Sequence, residues 1–376
     1  MTNHLFEIER IEATLIELPL KQPIPMSFGV VSKTQIVLVS LLDRNGVEGF
    51  GEASILGGPF WGSDSAEGTL ATIVRYLAPQ LAGKGFDGPE QFSKVISSLV
   101  KGNAPARSAL TMAALDLAGK RLGISAVNLL GGPVRTSVPV SWTLATGSTE
   151  GDIDEAFRAI EERGHTRFKV KLASTDLAAQ VKRVEQLCHR FSGVASFIAD
   201  ANQGWDERTV TRYLPQLDAA GLEAIEQPLP SGQEILLRPF RERLAMEIIA
   251  DESLTSLQQA LSIAGTGGVT AFSLKPNRDG GVFHTRRVAT IAEAANLKLY
   301  GGTALESSLG TAAYAALYAS LPNLQLGSEI FGPLRVTRDI VSEPLRVSGG
   351  HLQLPDGPGL GVQPDLDLIA FLKTSR

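Results

Sequence analysis

RFKVKLA, residues 167–173, puts Lys169 and Lys171 on one face of a strand and Phe168, Val170 and Leu172 on the other, since side chains alternate along an extended chain. An exposed edge strand produces this pattern with both ammonium groups in water. A barrel interior produces it only where something anionic meets the pair, because buried unpaired charge is costly. The flanking segments bear on the choice. VPVSWTLA (138–145) reads as a strand and DIDEAFRAIEERG (152–164) as a helix. LAAQVKRVEQLCHRF (177–191) is helical, ASFIADAN (195–202) extended and DERTVTRYLPQLDAAG (206–221) helical. GLEAIEQPL (221–229), MEIIADESL (246–254), VTAFSLKPN (269–277), LKLYGGTAL (297–305) and LQLGSEI (324–330) continue as strands with helical segments between them. Eight strand-helix units, the last irregular, predict a parallel sheet closed into a (β/α) barrel of the α/β class.

The first 130 residues have a different rhythm. IERIEATLIEL (8–18) and QIVLVSLLD (35–43) read as strands, and Arg44-Asn45-Gly46 turns the second into VEGFGEA (47–53). SAEGTLATIVRYLAPQL (65–81) and ARSALTMAALDLAGKRLG (106–123) have helical spacing, with Ser65 and Glu67 as a start signal and Gly123 as a stop. The expected organisation is an α+β capping domain over 1–130, a barrel over 131–343 and a tail over 344–376 that packs back on the cap.

Polar residues recur at the C-terminal end of successive predicted barrel strands: Lys171, Asp200, Glu226, Asp251 and Lys275, spaced 24 to 29 residues apart. Each spacing is one strand-helix unit, so the chain returns every time to the rim where barrel enzymes carry their sites. Taken singly, an Asp or Glu after a strand is often a helix cap or a loop residue. Three carboxylates in one mouth would repel one another and raise their pKa values unless a cation joined them. All-oxygen ligation suits a hard divalent ion, Mg²⁺ or Mn²⁺. Such an ion binds a substrate carboxylate and stabilises the enolate formed beside it. A lysine near other cations has a lowered pKa and exchanges protons at neutral pH, and Lys171 and Lys275 on opposite sides of the mouth serve either face of an enolate.

Composition excludes several classes. A net charge of -5 gives no footprint for nucleic acid, and the single cysteine, Cys188, permits neither an intramolecular disulfide nor a CxxC site. The charged start MTNHLFEIER lacks a signal-peptide core, and no apolar run reaches membrane-helix length, which together lead to the expectation of a cytoplasmic protein that makes no membrane contact. Gly83–Gly88 matches G-x-G-x-x-G but follows a helical segment and precedes Pro89, the wrong context for a dinucleotide site. The five His residues are scattered, and Cys188 sits in an amphipathic helix as a packing residue.

These motifs resemble the enolase superfamily, in its muconate cycloisomerase subgroup. The resemblance runs from GVEGFGEA through GNAPARSALTMAALDLAGKRLG and LLGGPVR to LYGGTALESSLGT and GSEIFGPL. It implies Lys169-Val170-Lys171 as the lysine motif, Lys275 in SLKPNRDGG as the opposing lysine, and Asp200, Glu226 and Asp251 in DANQGWD, IEQP and ADES as ligands of Mn²⁺ or Mg²⁺. Muconate cycloisomerases have a glutamate where Glu329 stands, whereas dipeptide epimerases of the subgroup show Asp-x-Asp there. Trp61 in LGGPFWG resembles the chloromuconate enzymes and Phe331 the plain muconate enzymes, while Pro276 after Lys275 departs from both. The implied activity is lactonisation of a small dicarboxylate, cis,cis-muconate or a chloromuconate, through a metal-stabilised enolate in aromatic-compound breakdown. A dipeptide epimerase, an N-acylamino acid racemase or an o-succinylbenzoate synthase is the alternative. Lys171 is the expected proton donor, Lys169 a fixed cation that lowers the pKa of Lys171 and holds substrate, and Glu329 a partner acid. Asn202, Phe331 and Trp61 are candidate substrate contacts, with Trp61 as a lid. Glu252, and less so Glu306, would support a ligand or lysine from behind. Phe28 and Gly29 lie in a stretch read as a second lid loop. The family likeness also implies a homo-oligomer, an octamer.

Overall fold

The two alternating N-terminal runs extend well beyond their apolar cores. β1 (Phe6–Met26) and β2 (Gly29–Asp43) pair antiparallel, and the Arg44-Asn45-Gly46 turn, with Gly46 at φ 75°, leads into β3 (Glu48–Ile55). Gly29 opens β2 and pairs with Met26. β4 (Gly85–Phe86) joins the far edge, giving the order β3-β2-β1-β4, so the glycine-rich 83–88 stretch is an edge strand and a helix start. The computed structural model describes residues 4–26, 29–60, 62–172 and 176–374. Trp61 and Phe28 lie outside them.

Ser65 caps the helix Ala66–Ala71 by accepting from the Gly68 amide at 3.0 Å. The helix Ala104–Leu122 ends at Gly123 in the left-handed region, φ 69°. It lies against β3 at the two glycines of GFGEA, where a Cβ on Gly49 or Gly51 would come within 2.6 Å of the backbone nitrogen of Leu117 or Ala113. Asp116 on this helix accepts from Phe50 N at 2.9 Å and Leu360 N at 2.8 Å, which ties the tail to the cap.

The predicted first barrel strand is split. β5 (Ser137–Pro139) pairs with the tail strand β14 (His351–Gln353), whose other edge carries β13 (Val347–Ser348), in a separate three-stranded sheet, and β6 (Trp142–Leu144) opens the barrel. Parallel strands follow in chain order: β7 (Arg167–Lys171), β8 (Ser196–Asp200), β9 (Ala224–Glu226), β10 (Glu247–Ala250), β11 (Ala271–Leu274) and β12 (Lys298–Gly301). The eighth position is two bridges at Ser328, one to Gly301 and one to Val140, which join the last strand to the first. Ile198, Ala224, Ile249, Ala271, Tyr300 and Leu326 form a buried cluster inside the ring, and Phe168 stacks on Phe197 outside it with centroids 5.4 Å apart. Among the described residues no helix is long and apolar enough to cross a membrane.

Cap and barrel meet along β3. Ser54 donates to the Ala304 carbonyl at 2.7 Å and accepts at its own carbonyl from Asn277 Nδ2 at 2.8 Å. Glu52 accepts from the Ser307 amide at 2.8 Å and from its hydroxyl, at the start of the helix Ser308–Ser320. Burial pushes the Glu52 carboxyl up to about 8 against these hydrogen bonds, and the nearby Glu306 and Asp339 add to the rise. A folded value above the unfolded one means that the stabilisation is full below pH 4.5 and is lost as pH rises through 8. Denaturant unfolding at fixed salt should thus show stability falling between pH 5 and 8.5 by on the order of a few kcal/mol, a fall that Glu52→Gln makes shallower. An identical pH slope in the variant would contradict this.

Candidate active site

Strand register decides which side chains share the rim. Lys171 pairs with Asp200 and Asp200 with Glu226 across β7, β8 and β9, so the three stand level. Asp251 and Lys275 follow the last residues of β10 and β11 at the same end. Lys169, two residues before Lys171, shares its face one layer deeper and is 1% exposed. The barrel interior, not an edge strand, thus accounts for the lysine alternation.

The anionic partners are present. Lys169 Nζ lies 2.5 Å from Glu226 Oε2, 2.9 Å from Glu329 Oε1 and 3.3 Å from Asp200 Oδ2. Lys171 Nζ donates to Asp200 Oδ2 at 2.7 Å and to Asn202 Oδ1 at 3.3 Å. Lys275 Nζ donates to Asp251 Oδ2 at 2.5 Å. Burial alone would depress Lys169 and Lys275, yet the facing carboxylates hold both above the ordinary lysine value. For Lys275 this corrects the expectation of a lowered pKa, because it faces the Asp251 carboxylate directly. Among the carboxylates, burial dominates at Glu226 and pushes it up to about 8, whereas Lys275 and Arg278 outweigh burial at Asp251 and hold it low.

Residues that sequence reasoning missed, together with Asn202, fix the loops. Gln227 holds φ 37°, Asn202 φ 41° and Gln203 φ 66°, left-handed conformations gathered where β8 and β9 open into the site. Gln227 Oε1 accepts from the Asp251 amide at 2.8 Å, and Gln227 Nε2 donates to Ser253 Oγ at 2.8 Å. The Arg278 guanidinium spans the Asp251 carboxylate at 2.5 Å, the Asp251 carbonyl at 2.7 Å and the Ser273 carbonyl at 2.7 Å. Pro276 occupies the first position of the short helix Pro276–Asp279 that follows Lys275, where a missing N–H costs nothing, and this accommodates the departure in SLKPNRDGG. Asn202 links Lys171 to Glu252, donating to Glu252 Oε1 at 3.0 Å, and Glu252 is pushed up to about 7, mainly by burial. The Asn202 amide also closes a turn onto Asp200 Oδ1 at 3.0 Å.

A cavity of about 780 Å³ lies over the rim between barrel and cap, lined by Lys171, Asp251, Lys275, Glu329, Phe331 and Arg335 among others. Phe331 packs on Trp142 with centroids 5.6 Å apart. Glu306 does not join the carboxylate set: it is buried at the cap seam, accepting from Thr303 Oγ1 and the Ala304 amide at 2.5 and 2.7 Å. Cys188 is buried in the helix Leu177–Arg190.

Among the described residues no three His, Cys, Asp or Glu side chains are gathered around a common point ready for a metal ion. Ammonium groups take the central place, as the Lys169 distances show. The donor set nonetheless suits a hard divalent cation. Asp200, Glu226 and Asp251 are each at most 1% exposed, and neither Glu226 oxygen has a hydrogen bond despite its ion pair with Lys169.

Residues 10–131 match the family described as mandelate racemase/muconate lactonizing enzyme, N-terminal domain, and residues 152–368 the family described as enolase C-terminal domain-like. The chain is 41% identical to a chloromuconate cycloisomerase of Pseudomonas sp. (strain P51), covering 96% of this chain and 98% of that protein. It is 40% identical to muconate cycloisomerase 1-1 of Acinetobacter lwoffii, over 96% of this chain and 95% of the relative. The crystal structure of a Pseudomonas fluorescens muconate lactonizing enzyme complexed with muconolactone superposes at TM-score 0.94 with 35% identity, covering 98% of this chain and all, 100%, of that one.

Proposed function

We propose that this chain, which belongs to the enolase superfamily through its mandelate racemase/muconate lactonizing enzyme-type cap and its barrel, is an isomerase that lactonises cis,cis-muconate or a chloromuconate. The observation that carries the reading is the facing set on one rim: Lys169 and Lys171 from β7, Lys275 after β11, and the Asp200, Glu226 and Asp251 carboxylates between them.

Enzymes of this superfamily generally use a divalent metal; here Asp200, Glu226 and Asp251 would hold it, as Mn²⁺ or Mg²⁺. When bound, the cation stabilises negative charge developing on a substrate carboxylate. The remaining steps belong to the chain. Lys169, held fully charged under the site, fixes that carboxylate. An oxygen of the second carboxylate adds to the double bond, the electron pair moves to the carbon beside the first carboxylate, and the Lys171 ammonium delivers a proton there. Asn202 and Glu252 hold Lys171 from behind. Lys275 stands across the site as a fixed charge, or as the proton carrier for ring closure of the opposite stereochemistry. Glu329 keeps Lys169 oriented as its partner acid, and Phe331 shapes the substrate side.

Run in deuterium oxide, the reaction should place one deuterium on the lactone, at the carbon beside the free carboxylate. Product without deuterium would contradict protonation by an exchanging lysine. The same chemistry acts on a small molecule alone, and a homo-oligomer, an octamer by family likeness, is the proposed assembly; light scattering measures its mass.

A further inference from the structure

The substrate proposed above has two carboxylates, and the rim accounts for one. We propose that Arg335 receives the second, the carboxylate that closes the ring, and so selects dicarboxylates; this rests on the lactonisation reading. Among the described residues, five cationic side chains line the cavity: Arg107, Lys171, Lys275, Arg278 and Arg335. Lys171 is committed to Asp200, and Lys275 and Arg278 are committed to Asp251, at 2.7 Å or less. Arg335 has no such partner among the described residues. Its Nη2 donates to the Thr143 carbonyl at 2.8 Å, its Nε is buried without an acceptor, and its nearest carboxylate, Glu155, stands 4.0 Å away. Glu155 is itself engaged by Trp142 Nε1 at 2.7 Å.

The guanidinium is preorganised. It lies 4.0 Å from the centroid of Trp142 and 5.4 Å from that of Phe331, and Arg163 also stacks on Trp142 at 4.5 Å. Two guanidinium groups against one carboxylate leave local positive charge, and only 12% of the Arg335 side chain is exposed. Arg335 follows Glu329 by one short helix, Gly332–Arg335, and so borders the reacting end of the cavity. Arg107 instead hydrogen-bonds Gly102 O at 3.0 Å and packs on Gly280, beyond Lys275 on the cap side.

The second carboxylate is neutralised as the lactone forms, so a guanidinium bound to it holds substrate more tightly than transition state or product. Arg335→Leu should therefore raise the KM for cis,cis-muconate by about 10- to 100-fold, the size of one charge-assisted hydrogen-bonded contact. The kcat should not fall and should rise by up to the same factor, and inhibition by muconolactone, which lacks that charge, should stay within about twofold. Arg335→Lys should recover part of the KM. Equal weakening of substrate and lactone, an unchanged KM, or the same split produced by Arg107→Leu would each overturn the assignment. Calorimetry with adipate and hexanoate separates this proposal from the reading beneath it. Should the parent protein turn over no muconate, Arg335 would still be supported by loss of adipate affinity alone in Arg335→Leu and Arg335→Gln, and overturned by equal loss for both acids.

Discussion

Replacing Lys171 with Ala is expected to lower kcat for muconate by about 10²- to 10⁴-fold, the span of a positioned general acid, while the protein stays folded. Folding should survive because the Lys171 side chain is partly exposed and its partner keeps other contacts. Asp200 retains Lys169 at 3.3 Å and the Asn202 amide at 3.0 Å. Circular dichroism and the thermal midpoint check the fold, and stopped-flow absorbance checks the rate. Metal affinity should change little, since Asp200 is freed and not removed. A variant retaining a tenth or more of the parental rate would remove Lys171 from the proton-donor role.

The second large effect falls on stability. Lys169→Met leaves Asp200, Glu226 and Glu329 around a neutral side chain in a site closed to water. Breaking a buried ion pair by removing one partner costs about 3–5 kcal/mol, because the remaining charge is uncompensated. The metal-free variant should lose about that much, and added Mn²⁺ should restore part of it by mass action. The sign with pH is specific. Carboxylates stripped of their cation bind protons more readily when folded than unfolded, so the deficit should shrink as pH falls and deepen as it rises. Unfolding in urea at several pH values, with and without Mn²⁺, measures all of this. A deficit below about 1 kcal/mol, the size of an exposed pair, would show that Lys169 does not balance the cluster.

Legibility in the sequence differs by the range of the interaction. Alternation and unit length made the barrel and its rim readable: Lys171, Asp200, Glu226, Asp251 and Lys275 recur one strand-helix unit apart, and register puts the first three on one level. The opening segment was less readable. VPVSWTLA is one apolar run, yet β5 leaves the barrel to pair with a tail strand about 214 residues later, a partner that local pattern does not specify. Arg278, Gln227 and Asn277 gave no signal because each acts through a distant backbone group: the Asp251 carbonyl, the Asp251 amide and the Ser54 carbonyl. Arg335 looked like an ordinary loop cation, and only the fold brings Trp142 and Thr143 against it. The charge state was misjudged for Lys275 because spacing shows which groups share a rim but not which carboxylates each ammonium meets.

The loss of muconate ultraviolet absorbance in the presence of Mn²⁺ tests the central claim most directly, with cis,cis-muconate and its 2-chloro and 3-chloro forms compared side by side. Rapid loss with at least one of the three, abolished by EDTA and restored by Mn²⁺, is the predicted result, and the ratio of rates assigns the chlorinated or unsubstituted branch. No loss with any of them would contradict cycloisomerisation and turn attention to racemisation or synthase chemistry on the same rim.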